Sequence, residues 1–158
     1  MSVECFMFTQ DPDLHFYMLE DEDEWRGPVT EAEVPEEWEG LSPAFVMPDG
    51  TVVQSHELPP GAIYDYMQSP VEDVPEAYAD RAVNGQYLVC VLPDGHHWQI
   101  DSYANNCDRG RDGHHCWIRH GEPPKLTIDK GGDTCSAGSG SFQTGTWHGF
   151  LRDGMLVT

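Results

Sequence analysis

Basic residues are scarce in this chain, which holds 8 Lys+Arg against 28 Asp+Glu in 158 residues and carries a formal net charge of −20. The imbalance is concentrated in residues 1–80, where 20 acidic residues accompany a single basic residue, Arg26. A protein that binds a nucleic-acid backbone needs a basic footprint, so this composition argues against direct nucleic-acid binding. We expect instead a protein partner, and one whose own surface is basic.

Long apolar runs are also lacking. No stretch of 18 apolar residues is present, so the sequence predicts neither a membrane-spanning segment nor a membrane partner. Residues 1–5, Met-Ser-Val-Glu-Cys, lack the basic region and the following apolar core of a secretory signal. We therefore expect a protein that is not secreted and that resides in a reducing compartment. Clustered cysteines in such a compartment are more often metal ligands than disulfides.

Familiar catalytic motifs are missing as well. The sequence contains no HExxH, no Walker loop, no GxGxxG and no GxSxG. The glycine-rich stretch at residues 138–141 is interpreted as a loop, because no helix signal follows it to present amide groups to a phosphate. These absences favour a non-catalytic protein, with a metal-dependent hydrolase as a remaining alternative.

The feature with a definite chemistry is a set of cysteines and histidines in the C-terminal half. It has the spacing Cys107-x8-Cys116-x3-His120-x14-Cys135-x12-His148. Thiolate and imidazole are the ligands that zinc prefers, and a closed tetrahedral site with three cysteines and one histidine is a common structural form. We predict that Cys107, Cys116, Cys135 and His148 bind a structural zinc ion. The alternative is a disulfide between Cys107 and Cys116.

The sequence does not determine which histidine is the fourth ligand of this site. If residues 116–120 form a strand rising about 3.3 Å per residue, His120 lies about 13 Å from Cys116, too far for both to bind one ion. That geometry favours His148 over His120, which remains the alternative fourth ligand. His114 and His115 adjoin Cys116 and could also serve if the loop folds back.

Turn signals predict the strands. Pro-Asp-Gly at residues 48–50 and again at 93–95 separates pairs of apolar stretches, and Asp153-Gly154 separates a third pair. The sequence therefore predicts a β-rich, mainly antiparallel fold with a zinc-stabilised C-terminal half. Short helices are expected at 30–33, where Thr30 and Glu33 match a capping box, and at 35–38 and 75–81. Cys90, in the apolar run 88–92, is interpreted as a small buried hydrophobe.

The acidic residues are densest at Glu20–Glu24, a run that we expect to be solvated. Trp25 and Trp38 indicate that part of this region packs, since disordered segments rarely keep tryptophan. We predict an acidic, partly ordered segment at 1–40 and a β-rich domain at 41–158. The leading function is a protein-binding module. The alternative is an acidic nucleic-acid mimic that inhibits a DNA-binding enzyme of the host.

Residues 85–158 also contain a series of short motifs that resemble those of known proteins. In order, these motifs lie at 97–101, 106–107, 116–124, 127–130, 135–141 and 148–154. They resemble small proteins of actinobacterial phages and their hosts, and are distantly similar to domain-of-unknown-function family 6527. The resemblance implies a phage or bacterial origin, and with it a location in the cytoplasm of a bacterial host or in a virion. It also implies a metal site that includes Cys107, Cys116 and Cys135, with His148 as a further ligand. Family members carry cysteine where this chain has residues 93–95, and no activity is implied.

Overall fold

A computed structural model describes residues 2–68, 80–104, 107, 114–129, 134 and 141–158. The protein is β-rich, with 48% strand and 7% helix, and its strands pair mainly antiparallel, so the predicted fold class is confirmed. Within the described residues, no helix is both long enough and apolar enough to cross a bilayer.

The described residues form fourteen strands and three short 3₁₀ helices. In chain order the strands are β1 (Ser2–Glu4), β2 (Phe6–Met7), β3 (Thr9–Leu19), β4 (Arg26–Thr30), β5 (Trp38–Val46), β6 (Val52–Val53), β7 (Ala62–Asp65), β8 (Leu88–Val91), β9 (His97–Gln99), β10 (Ile118–His120), β11 (Thr127–Asp129), β12 (Phe142–Thr144), β13 (Trp147–Arg152) and β14 (Met155–Val157). The 3₁₀ helices are Glu31–Glu33, Ser55–Glu57 and Tyr66–Gln68.

These strands form four sheets, with the orders β1-β14-β13-β12, β2-β7-β8-β9, β4-β3-β5-β6 and β10-β11. The β2–β7 pair is parallel, and the other pairs within these sheets are antiparallel. Because neighbouring strands are mostly antiparallel, short turns suffice to connect them, which agrees with the frequent Gly and Pro in the sequence.

All three predicted hairpins are present. Strand β5 pairs with β6 across residues 48–50, β8 pairs with β9 across residues 93–95, and β13 pairs with β14 at Asp153-Gly154. The last two residues both have positive φ, 49° and 76°, as the tight hairpin turn requires. Local turn chemistry was therefore sufficient to locate these strand pairs.

The three helices predicted from the sequence agree with the structure to different degrees. Thr30 and Glu33 form the expected capping contact, since the Thr30 N–H and hydroxyl donate to Glu33 Oε1 at 3.0 and 2.7 Å at the start of the first 3₁₀ helix. The helical turn predicted at 35–38 is limited to one hydrogen-bonded turn, and no helix follows it. The Trp38 N–H donates to Pro35 O at 3.3 Å in a turn that runs directly into β5. The helix predicted at 75–81 falls mostly outside the described residues.

The chain divides into two compact units. Unit 1 contains residues 2–7 and 59–67 and the described residues from 80 to 158, and unit 2 contains residues 8–58 together with Gln68. Unit 2 contains the β4-β3-β5-β6 sheet, which buries Phe8, Phe16 and Phe45. Residues 8–58 of unit 2 are therefore inserted in the sequence between β2 and β7 of unit 1.

The core of unit 1 draws on strands from both ends of the chain. Its largest fully buried side chains include Leu88, Leu126 and Leu151, each 0% exposed. Strand β5 lies wholly in unit 2. The division of the chain into an acidic segment at 1–40 and a β-rich domain at 41–158 stays a prediction.

Candidate metal centre

Three side chains of unit 1 bring metal-binding atoms together. They are Cys107, His114 and Cys116, whose Sγ and imidazole nitrogen atoms all lie within 4.8 Å of one another. His114 Nε2 lies 3.2 Å from Cys107 Sγ and 3.5 Å from Cys116 Sγ. A single imidazole nitrogen thus faces two thiol sulfurs at nearly equal distances.

These distances match the requirements of one tetrahedral ion. Zinc holds a thiolate sulfur at about 2.3 Å and an imidazole nitrogen at about 2.0–2.1 Å, so the two ligand atoms lie roughly 3.5 Å apart. The two nitrogen–sulfur distances of 3.2 and 3.5 Å are close to that value. The sequence also allowed a disulfide between Cys107 and Cys116, but these two residues are not joined in the structure. The group could therefore hold a metal ion.

Backbone hydrogen bonds fix the two cysteines relative to each other. The Cys107 N–H donates to Ala104 O at 3.2 Å, and the Ala104 N–H donates to Cys116 Sγ at 3.2 Å. An N–H donor directed at sulfur stabilises a thiolate, which is the form that binds metal. The same short segment therefore positions one ligand and hydrogen-bonds another.

Arg81 holds the backbone of His114 in place. Its Nη1 donates to the His114 carbonyl at 2.5 Å and its Nε donates to Asp101 O at 2.6 Å. The guanidinium also lies over the Tyr103 ring, 3.6 Å from the ring centroid, and that ring contacts the His114 imidazole at 5.3 Å between centroids. His114 is therefore positioned through both its backbone and its ring.

A second arginine anchors the strand that follows the ligands. Arg119, on β10, pairs with Asp101 at 3.1 Å and donates to Val83 O at 2.9 Å. Asp101 Oδ2 accepts the Leu88 N–H at 2.9 Å. Burial raises the pKa of Asp101 to about 6, although the Leu88 hydrogen bond and the arginine charges oppose the shift. A buried charged network thus supports the segment that carries His114 and Cys116.

The remaining predicted ligands have different locations. Cys135 lies outside the described residues. His148 is exposed on β13, with Nε2 3.3 Å from Ser141 Oγ, and His120 is exposed on β10 opposite Thr127. Neither histidine belongs to the group that the described residues form. The fourth ligand therefore stays a prediction.

The sequence left undetermined which histidine joins the two cysteines. His114 precedes Cys116 by two residues, and it enters the group because its Nε2 lies within 3.2 Å of Cys107 Sγ. His115, its neighbour, is half-buried, and burial together with the charge of Arg81 lowers its pKa. A histidine close to Cys116, just before a strand, was the available signal, but His114 and His115 both meet that description.

Burial indicates what the site can do chemically. Cys116 is 0% exposed and His114 is 7% exposed, so both ligands lie in the interior of unit 1. A catalytic metal needs an open position for water and substrate, whereas a structural metal is enclosed by its ligands. Two of the three described ligands are thus enclosed, and the third, Cys107, is half-buried.

A separate cavity of unit 1, with a volume of about 730 Å³, is lined by three histidines and by aromatic side chains. Each imidazole already contacts a partner through one nitrogen: His96 pairs with Asp94 at 2.9 Å, His97 with Tyr64 at 2.8 Å and His148 with Ser141 at 3.3 Å. Burial lowers the pKa of His97, whose Nδ1 faces the Tyr64 hydroxyl. Among the described residues, these histidines are not part of the group with metal-binding geometry.

No protein-family model, curated protein or solved structure matches this chain. The interpretation of the metal centre therefore rests on its ligand chemistry and geometry.

Proposed function

We propose that this chain is a non-catalytic, zinc-stabilised module that binds a basic protein partner, as a phage accessory or virion-associated protein. The observation that carries the proposal is an exposed pair of tryptophans in the acidic unit 2. Trp25 is 39% exposed and Trp38 is 46% exposed. Tryptophan is enriched among the residues that dominate the energetics of protein–protein interfaces.

The two indoles belong to one end of the β3–β5 pair. Trp38 is paired with Leu19 at the start of β5, and the Trp25 ring lies over Gly40, where an added Cβ would be 3.2 Å from Cη2. The acidic run begins immediately after Leu19, at Glu20. Exposed aromatic surface and concentrated negative charge are therefore adjacent, which we define as the Trp–acid surface (Glu20–Glu24, Trp25 and Trp38).

Charge complementarity favours a basic partner. The single Arg of residues 8–58, Arg26, is bound by Glu22 through two hydrogen bonds of 2.9 and 2.7 Å, so its charge is locally neutralised. Glu20, Asp23 and Glu24 are exposed. Lys and Arg side chains could pair with these carboxylates and also stack on the indoles, an interaction worth roughly 0.5–1 kcal/mol at exposed sites.

A nucleic-acid mimic that inhibits a host DNA-binding enzyme is the second candidate, because such an enzyme also presents a basic surface. The two proposals differ in one respect: DNA competes for the partner of a mimic. A metal-dependent hydrolase is less well supported, since His114 and Cys116 are buried.

The test compares two variants with equal net charge. The first changes Glu20, Asp23 and Glu24 to Lys. It leaves Glu22 unchanged because Glu22 binds Arg26, and it leaves Asp21 unchanged because that residue has a positive φ of 66°. The control changes Glu4, Asp80 and Glu122, which are exposed residues of unit 1, to Lys. Proteins captured from a bacterial host lysate by the wild type are purified, and their association kinetics are measured at low and high salt.

We expect the first variant to associate at least tenfold more slowly at low salt, because charge steers encounter more than it sets residence time. The control should associate like the wild type. Trp38→Ala should instead speed dissociation. Equal slowing in both lysine variants would show an effect of net charge alone and contradict a specific surface. Loss of binding on addition of duplex DNA would favour the mimic.

A further inference from the structure

The histidine-lined cavity of unit 1 lies between the edges of two sheets. As far as the described residues extend, β9 is the last strand of the β2-β7-β8-β9 sheet and β12 is the last strand of the β1-β14-β13-β12 sheet. The cavity is lined by residues 96–99 and 141–145, which include every residue of both strands. Successive side chains of a strand point to opposite faces, so a cavity that meets consecutive residues meets the edge of the strand.

Strand β9 directs backbone groups towards this edge. The Ile100 N–H donates to Leu88 O at 2.9 Å, and antiparallel pairs alternate between bonded and non-bonded, so the N–H and C=O groups of His97 and Gln99 point away from β8. The Gln99 carbonyl accepts the Ser102 N–H at 3.2 Å. Within the described part of the chain, the His97 N–H, the His97 carbonyl and the Gln99 N–H therefore have no backbone partner.

Tyrosine side chains hold this edge in place. His97 Nδ1 lies 2.8 Å from the Tyr64 hydroxyl on β7, and Gln99 Oε1 accepts the Tyr87 hydroxyl at 2.8 Å. These contacts fix β9 to the two preceding strands of its sheet. A fixed edge loses little conformational freedom when another chain binds it.

Two contacts join the edges that border the cavity. Trp98 of β9 stacks on Phe142 of β12, with ring centroids 3.6 Å apart and an angle of 12° between the rings. Asp94, in the turn before β9, accepts the Thr146 N–H at 3.2 Å, in the turn after β12. The cavity is thus a cleft between two connected strand edges, and Trp117 lines it as a further aromatic side chain.

The lining of the cleft is uncharged in an acidic protein. None of the described residues that line it is Asp, Glu, Lys or Arg, although the chain carries a net charge of −20. Imidazole, amide, hydroxyl and aromatic groups face the cleft instead. An unpaired charge is costly to remove from water, so the lining favours an uncharged occupant. The volume of about 730 Å³ lies within the usual range for ligand pockets.

We propose that β9 binds an extended, uncharged segment of a partner protein, which joins the sheet as an additional strand. Main-chain hydrogen bonds to His97 and Gln99 hold the segment, and alternate side chains of the segment enter the aromatic part of the cleft. An extended peptide fits because it offers a carbonyl and an N–H at the repeat of the strand itself. This binding site is in unit 1 and does not include the Trp–acid surface.

The experiment follows the backbone amides of the zinc-loaded, full-length protein by NMR during titration with the capped hexapeptide acetyl-Thr-Val-Thr-Tyr-Thr-Val-amide. Two further peptides carry N-methyl groups on alternate residues, one from the first residue and the other from the second. We expect saturable shifts of the His97 and Gln99 amides with the parent peptide. One methylated peptide should bind similarly and the other at least tenfold more weakly, because only alternate N–H groups of an added strand face β9.

A pair of variants tests the backbone donor. Gln99→Pro removes an N–H that points away from β8, so it removes no hydrogen bond of the sheet, and proline is tolerated at such edge positions. Gln99→Ala is the matched control, since both variants lose the contact with Tyr87. We expect Gln99→Pro to bind the parent peptide about three- to tenfold more weakly than Gln99→Ala.

Three results with the wild type would overturn the proposal, and none depends on whether a variant folds. Equal binding of both methylated peptides would show recognition through side chains alone. Absence of saturable shifts at His97 and Gln99 with about 10 mM peptide would exclude strand addition at this edge. Shifts of the same two amides on dilution of the protein without peptide would identify a second copy of this chain as the occupant.

Discussion

Asp101 allows a stability prediction with a definite sign. Its carboxylate is 4% exposed, lies 3.1 Å from Arg119 Nε and accepts the Leu88 N–H at 2.9 Å. Despite these partners, burial raises its pKa from the ordinary value of 3.8 to about 6, with the nearby Asp65 adding to the rise. The loss of hydration therefore outweighs the attraction of Arg119 and Arg81, as is common for buried ion pairs.

The raised pKa means that the folded state binds this proton more tightly than the unfolded state. Its stabilising contribution is fully present below pH 3.8 and is lost as the pH rises through about 6. A shift of about two units corresponds to about 3 kcal/mol in the free energy of unfolding. Between pH 5 and 7.5, a range above the sequence pI of about 4.4, the loss should be roughly 1 to 2 kcal/mol.

Asp101→Asn removes this titration. The variant should be destabilised overall because Arg119 loses its carboxylate partner, but its deficit relative to the wild type should shrink by roughly 1 to 2 kcal/mol from pH 5 to 7.5. Urea unfolding at several pH values, followed by tryptophan fluorescence, measures the difference. A deficit that stays constant, or that grows with pH, would refute the reasoning.

Glu33→Gln is the matched control. The Thr30 hydroxyl and N–H lower the pKa of Glu33, so this carboxylate is ionised in both states across the window. The effect of Glu33→Gln should therefore be flat from pH 5 to 7.5. Parallel slopes in the two variants would point to the changing net charge of the whole chain instead of to Asp101.

The metal centre supports two further predictions. Purified reduced protein should hold about one zinc per chain by elemental analysis, and Cys116→Ser should lose it and unfold more readily, since structural zinc is linked to folding; far less than half an equivalent in folded wild type would contradict the site. In competition with a chromogenic chelator, His114→Ala should weaken zinc binding more than His148→Ala or His120→Ala, because its Nε2 faces both sulfurs. The reverse order would identify His148 as the ligand, as the sequence predicts.

Local chemistry explains which parts of the structure were predictable. The hairpins at 48–50, 93–95 and 153–154 follow from turn residues whose φ preferences act within four residues, and the Thr30–Glu33 contact spans three. The segment at 35–38 marks the limit of such signals. A single turn forms there, and from Trp38 onward the chain pairs with β3 instead of extending a helix, because the strand recovers hydrogen bonds along its length.

The sequence by itself determined that the protein would be β-rich, that its acidic charge would lie in residues 1–80, and that cysteine and histidine would supply a metal site in the C-terminal half. Residue type and short spacing decide these properties. The tertiary structure alone decided that His114 meets Cys107 and Cys116, and that Trp25 and Trp38 stay exposed. The three metal-binding side chains are close in sequence, but the contacts that hold His114 come from Arg81, more than 30 residues earlier. Such long-range packing leaves no periodic or local trace in the sequence.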